Sequence, residues 1–193
     1  MVRIGLLGGS FNPPHLCHVR LSEYVLQSGA VDAVWWLPVH RHAFDKDASL
    51  ASWDDRLAMA EAAVADHPDL HVDPIESTLA PPSYTVHTIA ALRERHPEHT
   101  FVWLAGADIL PELHLWHRWS ELRELLEFLI VGRGDRARDA PEGARIDVRD
   151  FTLPDISSSQ VRRRLAAGDR AAARELVPAA VADWLDAHPD VYA

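Results

Sequence analysis

A chain of 193 residues and 21.6 kDa is most simply one domain spanning 1–193, long enough to bury a three-layer core. Hydrophobic residues at 48% and charged residues at 25% are ordinary for a soluble globular protein, and no apolar run approaches the ~20 residues that cross a bilayer. A net charge of −10 argues against a broad nucleic-acid or anionic-membrane surface, so any anion site has to be a local pocket. The chain opens on an apolar strand rather than a signal-peptide pattern, which sets a cytoplasmic expectation. Cys17 is the single cysteine, so an internal disulfide is excluded. Lys46 is the single lysine; the remaining basic residues are arginines, which suit forked recognition of phosphate.

The run 2–7 is short and mostly apolar, as a strand buried on both faces reads. Gly8 and Gly9 remove side chains where the chain turns and a ligand can approach the backbone. Ser10, Phe11 and Asn12 lead to Pro13 and Pro14, which fix φ ahead of a helix predicted over 16–27. His15 and His18 stand at the start of that helix at a spacing that projects both to one side. A helix start after a strand favours anions, because free N–H groups and the helix dipole point at them, and two imidazoles would add donors. Read blandly, the same run is an ordinary strand-turn-helix with two surface histidines. A second strand follows over 33–38, then a polar loop over 40–49. Ser52-Trp53-Asp54-Asp55 resembles a capping box with aspartate for glutamate and opens a helix to about 65. The pattern then gives a strand over 70–74, a loop over 76–84, and a helix over 85–96 with Val86, Ile89 and Ala90 on one face. Strands follow over 100–105 and 128–131, with one or two short helices between them. A charged loop over 134–143 precedes a last strand over 144–148.

Ser157 is a natural N-cap, Gln160 completes a capping box, and Ile156 and Val161 stand at the staple positions of a helix that Gly168 closes. Hydroxyls at Ser157 and Ser158 and free N–H groups meet at its positive end, and Arg162 tilts back toward the same point. The alternative is a well-capped surface helix with solvated Arg163 and Arg164. A final helix over 178–188 buries Val181, Trp184 and Leu185. Alternating strands and helices with short links define an α/β class: a Rossmann-like, doubly wound parallel sheet in three α/β/α layers. The loops at Gly8, Val39, Gly106 and Gly132 follow strands, so they are expected to converge on one cleft at the switch point.

The run Gly8-Gly9-Ser10-Phe11-Asn12-Pro13-Pro14-His15-Leu16-Cys17-His18 resembles the signature of nucleotidyltransferases, with Cys17 where the family's His-x-Gly-His has glycine. Ile156-Ser157-Ser158-Ser159-Gln160-Val161-Arg162 resembles their C-terminal Ile-Ser-Ser-Thr-x-x-Arg motif, with Ser159 for threonine. The stretches Ser83-Tyr84-Thr85, Gly106-Ala107-Asp108 and Trp116-His117-Arg118-Trp119 resemble nicotinate-nucleotide adenylyltransferases, with His87 where aspartate is common and an uncommon loop from His40 to Lys46.

The resemblance implies the nucleotidyltransferase fold and transfer of AMP from ATP to nicotinate mononucleotide, possible also with the amide, releasing pyrophosphate. It implies His15, His18 and Arg162 as catalytic, and Gly8, Gly9, Ser10, Phe11, Gly106, Asp108, Ser157 and Ser158 at ATP. Ser83, Tyr84, Thr85, Trp116, Arg133 and Lys46 fall to the pyridine nucleotide. Trp116 and Trp119 also read as core aromatics, and Arg133 and Lys46 as solvated surface. Mg2+ is expected to arrive with ATP, and no resident metal site is expected, since His114 and His117 lack a third ligand. The expected partners are ATP and a pyridine mononucleotide, not nucleic acid or membrane; monomer and homo-oligomer both stay open. Beside a nicotinate-nucleotide enzyme stand another adenylyl- or cytidylyltransferase of the same fold and a non-catalytic nucleotide-binding regulator. The sequence predicts a Cys17 thiol at the cleft whose pKa, if exposed, is lowered by the helix end and the histidines.

Overall fold

The computed structural model describes residues 1–41, 50–132 and 141–192, so Lys46 and Arg133 lie outside the described residues. Six strands form one sheet in the order β3-β2-β1-β4-β5-β6, and every neighbouring pair is parallel. They are β1 (Val2–Gly9), β2 (Ala33–Pro38), β3 (Leu70–Val72), β4 (His99–Gly106), β5 (Glu127–Gly132) and β6 (Arg145–Asp150). The order reverses between β1 and β4, whose carboxyl ends therefore flank the crevice in which open α/β sheets bind ligands.

Alternation along β1 sends Leu7 to one face, and Ile4 and Leu6 to the other. On the Leu7 face pack α1 (Leu16–Gln27), α2 (Trp53–Val64), α5 (Ser158–Ala166) and α7 (Ala179–Ala187), through Val25, Met59, Val161 and Val181. On the other face pack α3 (Thr85–Arg95) and α4 (Trp119–Leu125), through Ile89, Leu92 and Leu122. Both faces are covered, which is why the strands read as apolar runs rather than alternating ones.

Several boundaries differ from the sequence expectation. β1 continues to Gly9, because Gly8 and Gly9 still pair with Leu37 and Pro38. β6 runs to Asp150, paired with Gly132. The segment between β4 and β5 resolves into a 3-10 stretch, Ala107–Leu115, and α4. A short helix, α6 (Arg170–Arg174), was not anticipated; Asp169 accepts from the Ala172 N–H at its start.

Candidate active site

A cleft of about 930 Å³ opens over the carboxyl ends of β1 and β4. Gly8, Gly9, Ser10, Val39 and Gly106 line it. Gly132 does not: a Cβ there would stand 2.6 Å from that of Ala107, so this strand end packs against the 3-10 stretch instead. Gly8 is required by close approach, since a Cβ would lie 2.5 Å from the Trp103 ring. Phe11 departs from the expected nucleotide contact. It sits at φ +46, its ring is 1% exposed, and it stacks on Trp36 at 4.8 Å. That stack holds a bulky residue in the left-handed region, so the side chain braces the turn from below.

His15 and His18 stand at the cleft floor with ring centroids 3.8 Å apart. Burial lowers the His15 pKa to about 4. Burial, then the charge of His15, pushes His18 well below the usual imidazole range. Both rings are therefore neutral at pH 7. The His15 backbone N–H donates to His18 Nδ1 at 3.1 Å, which places the His18 proton on Nε2. His18 is thus a neutral ring that remains a hydrogen-bond donor.

α5 brings the second element to the same rim. Its start carries the expected capping box: the Ser157 hydroxyl accepts from the Gln160 N–H, and the Gln160 side chain accepts from the Ser157 N–H. Ser157 lines the cleft, whereas the Ser158 hydroxyl turns inward and donates to the Pro13 carbonyl at 2.8 Å. Arg162 reaches back along its helix, as the tilt of side chains implies, and donates to the Asn12 carbonyl at 2.8 Å and to the Ser159 hydroxyl at 3.2 Å. It stands behind the lining rather than in it. Among the described lining residues there is no arginine or lysine; the ionisable groups are His15, Cys17, His18, Tyr84, His117 and the carboxylates of Glu76, Asp108, Glu112 and Asp155.

One wall of the cleft is aromatic. Trp103 and Trp116 meet edge to face at 5.6 Å, and Tyr84 stacks on His117 at 4.0 Å. All four line the cleft, with Ser83 and Thr85 beside Tyr84 at the start of α3. Trp119 instead packs on Phe128. Asp108 is exposed at the mouth, with its carboxylate folded over Gly106: a Cβ there would lie 2.5 Å from Oδ1.

Three cleft features escaped the sequence reading. Trp103 looked like one more apolar strand residue. Glu76, 5% exposed, accepts from the His40 N–H and the Thr88 hydroxyl, both at 3.2 Å. Burial raises its pKa, opposed by hydrogen bonds from Ser83, His40 and Thr88 and by the charge of Arg56. Arg56 on α2 is 2% exposed. It donates to the carbonyls of Ser10 at 2.9 Å and Val39 at 2.7 Å, tying together two loops of the rim.

Cys17 corrects one expectation. It does line the cleft, but it is only 8% exposed and its thiol donates to the Pro154 carbonyl at 3.1 Å. Burial raises the thiol pKa instead of lowering it, and the neutral histidines supply no charge to oppose this. Among the described residues, a group spaced for a metal ion is His96, Glu98 and His99, at the amino end of β4 and away from the cleft.

A doubly wound sheet, a glycine turn leading into paired imidazoles and a capped helix on the facing rim define a nucleotidyltransferase. The cytidylyltransferase-like family matches residues 6–164. Probable nicotinate-nucleotide adenylyltransferases resemble the chain over nearly its whole length. The one from Exiguobacterium sibiricum is 39% identical, with 96% of each chain covered, and the one from Anaeromyxobacter sp. strain K is 38% identical, covering 95% of this chain and 93% of the relative. The fold matches the nicotinic acid mononucleotide adenylyltransferase of Plasmodium falciparum, solved in complex with NaAD, with a TM-score of 0.82 at 19% identity over 100% of this chain and 98% of that one. The chain belongs to the nicotinate-nucleotide adenylyltransferase family.

Proposed function

We propose that this cleft transfers the AMP moiety of ATP to nicotinate mononucleotide, giving the dinucleotide and pyrophosphate in NAD biosynthesis. The observation that carries the reading is the arrangement of one cleft, lined together by neutral imidazoles, a capped helix start and paired tryptophans. The 5′-phosphate of the mononucleotide attacks the α-phosphorus of ATP in line. The new P–O bond forms as the bond to the bridging oxygen of pyrophosphate breaks, and both departing electrons stay with pyrophosphate. The nucleophile is already anionic near neutral pH, so the protein needs no strong base. What the protein supplies is alignment of the two phosphates and stabilisation of developing charge.

His18 Nε2–H is preset to stabilise that charge. The ring is neutral in the free protein, yet it still donates, and a growing negative charge strengthens the bond. His15 stands beside it for the adjacent phosphate. The N–H groups of the glycine turn and the start of α5, with Ser157 at its mouth, face the polyphosphate. Arg162 supports the leaving pyrophosphate from behind this rim. Trp116 offers its face to the electron-poor pyridine, beside Ser83, Tyr84 and Thr85. Mg2+ carried by ATP would supply neutralisation of phosphate charge. The carboxylate of Asp108 at the mouth offers a hard oxygen donor that fits it, without a preassembled cage among the described residues.

The test is an acceptor panel with ATP labelled in its α-phosphate. The label should move to the dinucleotide with nicotinate mononucleotide, less with the amide form, and not at all with phosphopantetheine. Label transfer to phosphopantetheine alone would place the chain with a different transferase of this fold.

A further inference from the structure

The segment between the glycine turn and His15 cannot hold itself. Pro13 and Pro14 have no N–H to donate, so their backbone must be fixed by donors reaching its carbonyls. The structure supplies those donors from distant parts of the chain. Arg162 donates to the Asn12 carbonyl, and Ser158 to the Pro13 carbonyl. The Asn12 side chain, 2% exposed, accepts at Oδ1 from the Ala51 N–H at 2.9 Å and from the Tyr192 hydroxyl at 2.8 Å. Ala51 is held in turn by Arg56, which also holds Ser10. Asn12 is therefore the joint at which the glycine turn, Arg162 of α5 and Tyr192 beyond α7 meet.

We propose that Tyr192 is a positioning residue for the transfer. Through its hydroxyl on Asn12 it fixes the distance between the His15–His18 pair and the start of α5, and so the geometry of the polyphosphate. Three observations carry this. The Tyr192 ring packs against the core cluster that includes Phe11, so the hydroxyl is delivered by a well-seated side chain. Asn12 Oδ1 already serves Ala51, so the phenol completes a two-donor clamp on a buried amide. The Arg162 guanidinium and the Tyr192 hydroxyl both donate to Asn12, one to its carbonyl and one to its side chain, so the phenol and α5 are tied to the same residue.

The inference rests on the adenylyl-transfer reading, and the experiment separates the two. Tyr192→Phe keeps the ring and removes only the hydroxyl. With ATP and nicotinate mononucleotide well below the melting temperature, it should lower kcat about five- to tenfold, the range for one lost hydrogen bond. The KM of the pyridine substrate should stay within about twofold, since neither Asn12 nor Tyr192 lines the cleft beside Ser83, Tyr84 and Trp116. Asn12→Ala should lower kcat by at least as much, and adding Tyr192→Phe to it should cost nothing more. Affinity for a non-hydrolysable ATP analogue should fall in Tyr192→Phe as well, a readout that stands even if the acceptor were another compound. A lowered melting temperature with unchanged kcat and analogue affinity would make Tyr192 a packing residue only. Losses that multiply in the double variant would show that it does not act through Asn12. Either result overturns the proposal.

Discussion

Acid should destabilise this protein through the same burial that keeps its two cleft imidazoles neutral. His15 titrates near 6.5 in the unfolded chain and at about 4 in the folded one. Between those values the unfolded state binds a proton that the folded state refuses, so stability is full above pH 6.5 and falls as the pH drops. At about 1.36 kcal/mol per pKa unit, His15 alone removes about 2 kcal/mol between pH 7.5 and pH 5, approaching about 3 kcal/mol at pH 4. His18, pushed lower still, acts in the same direction. Glu76 acts in the opposite sense: its raised pKa lets the folded state take up a proton before the unfolded one. It is common to wild type and variant, so it cancels in the comparison. Urea unfolding at pH 7.5, 6 and 5 measures the slope for wild type and His15→Asn. The variant should lose about 2 kcal/mol less over that range. Equal losses in the two proteins would refute the claim that His15 is held neutral by burial.

Other consequences follow from single contacts. Gly8→Ala forces a Cβ into the Trp103 ring and should cost about 1–3 kcal/mol in urea unfolding while raising the KM of the pyridine substrate, because Trp103 shares that wall with Trp116. A Gly8→Ala protein with wild-type stability would mean that Trp103 moves aside freely. Trp116→Ala should raise the same KM and leave that of ATP unchanged; a lowered melting temperature with both KM values intact would make Trp116 a core residue. Cys17 should react with a thiol reagent more slowly than an exposed cysteine, and ATP should slow it further; fast modification indifferent to ATP would contradict its burial against Pro154. Cys17→Gly should retain activity.

The sequence displayed the glycine turn and the capped start of α5 because each is a local device. Glycines, prolines and spaced histidines set a turn and a helix start within a few residues, and Ser157 with Gln160 sets a cap. The parallel, doubly wound sheet was legible for a similar reason, since alternating elements with short links leave few other arrangements. What the sequence concealed is long-range. Arg56 lies on a helix whose apolar spacing is weak, and only the convergence of the Ser10 and Val39 loops gives its guanidinium carbonyls to hold. Glu76 in a polar loop looks like surface until His40 and Thr88 close on it. Trp103 could not be told from a core strand residue until the fold laid its ring against Gly8. The placement of Cys17 at the cleft was legible in the motif, but the lowered thiol pKa was tied to exposure, and burial against Pro154 raises it instead.

The measurement that tests the central claim most directly is pyrophosphate release from ATP and nicotinate mononucleotide by wild type and His18→Ala, side by side. Removing a donor preset on the reacting phosphate should lower kcat by ~10²–10³ with both KM values little changed, because the bond strengthens only as charge develops. A His18→Ala protein with near wild-type kcat would contradict the account.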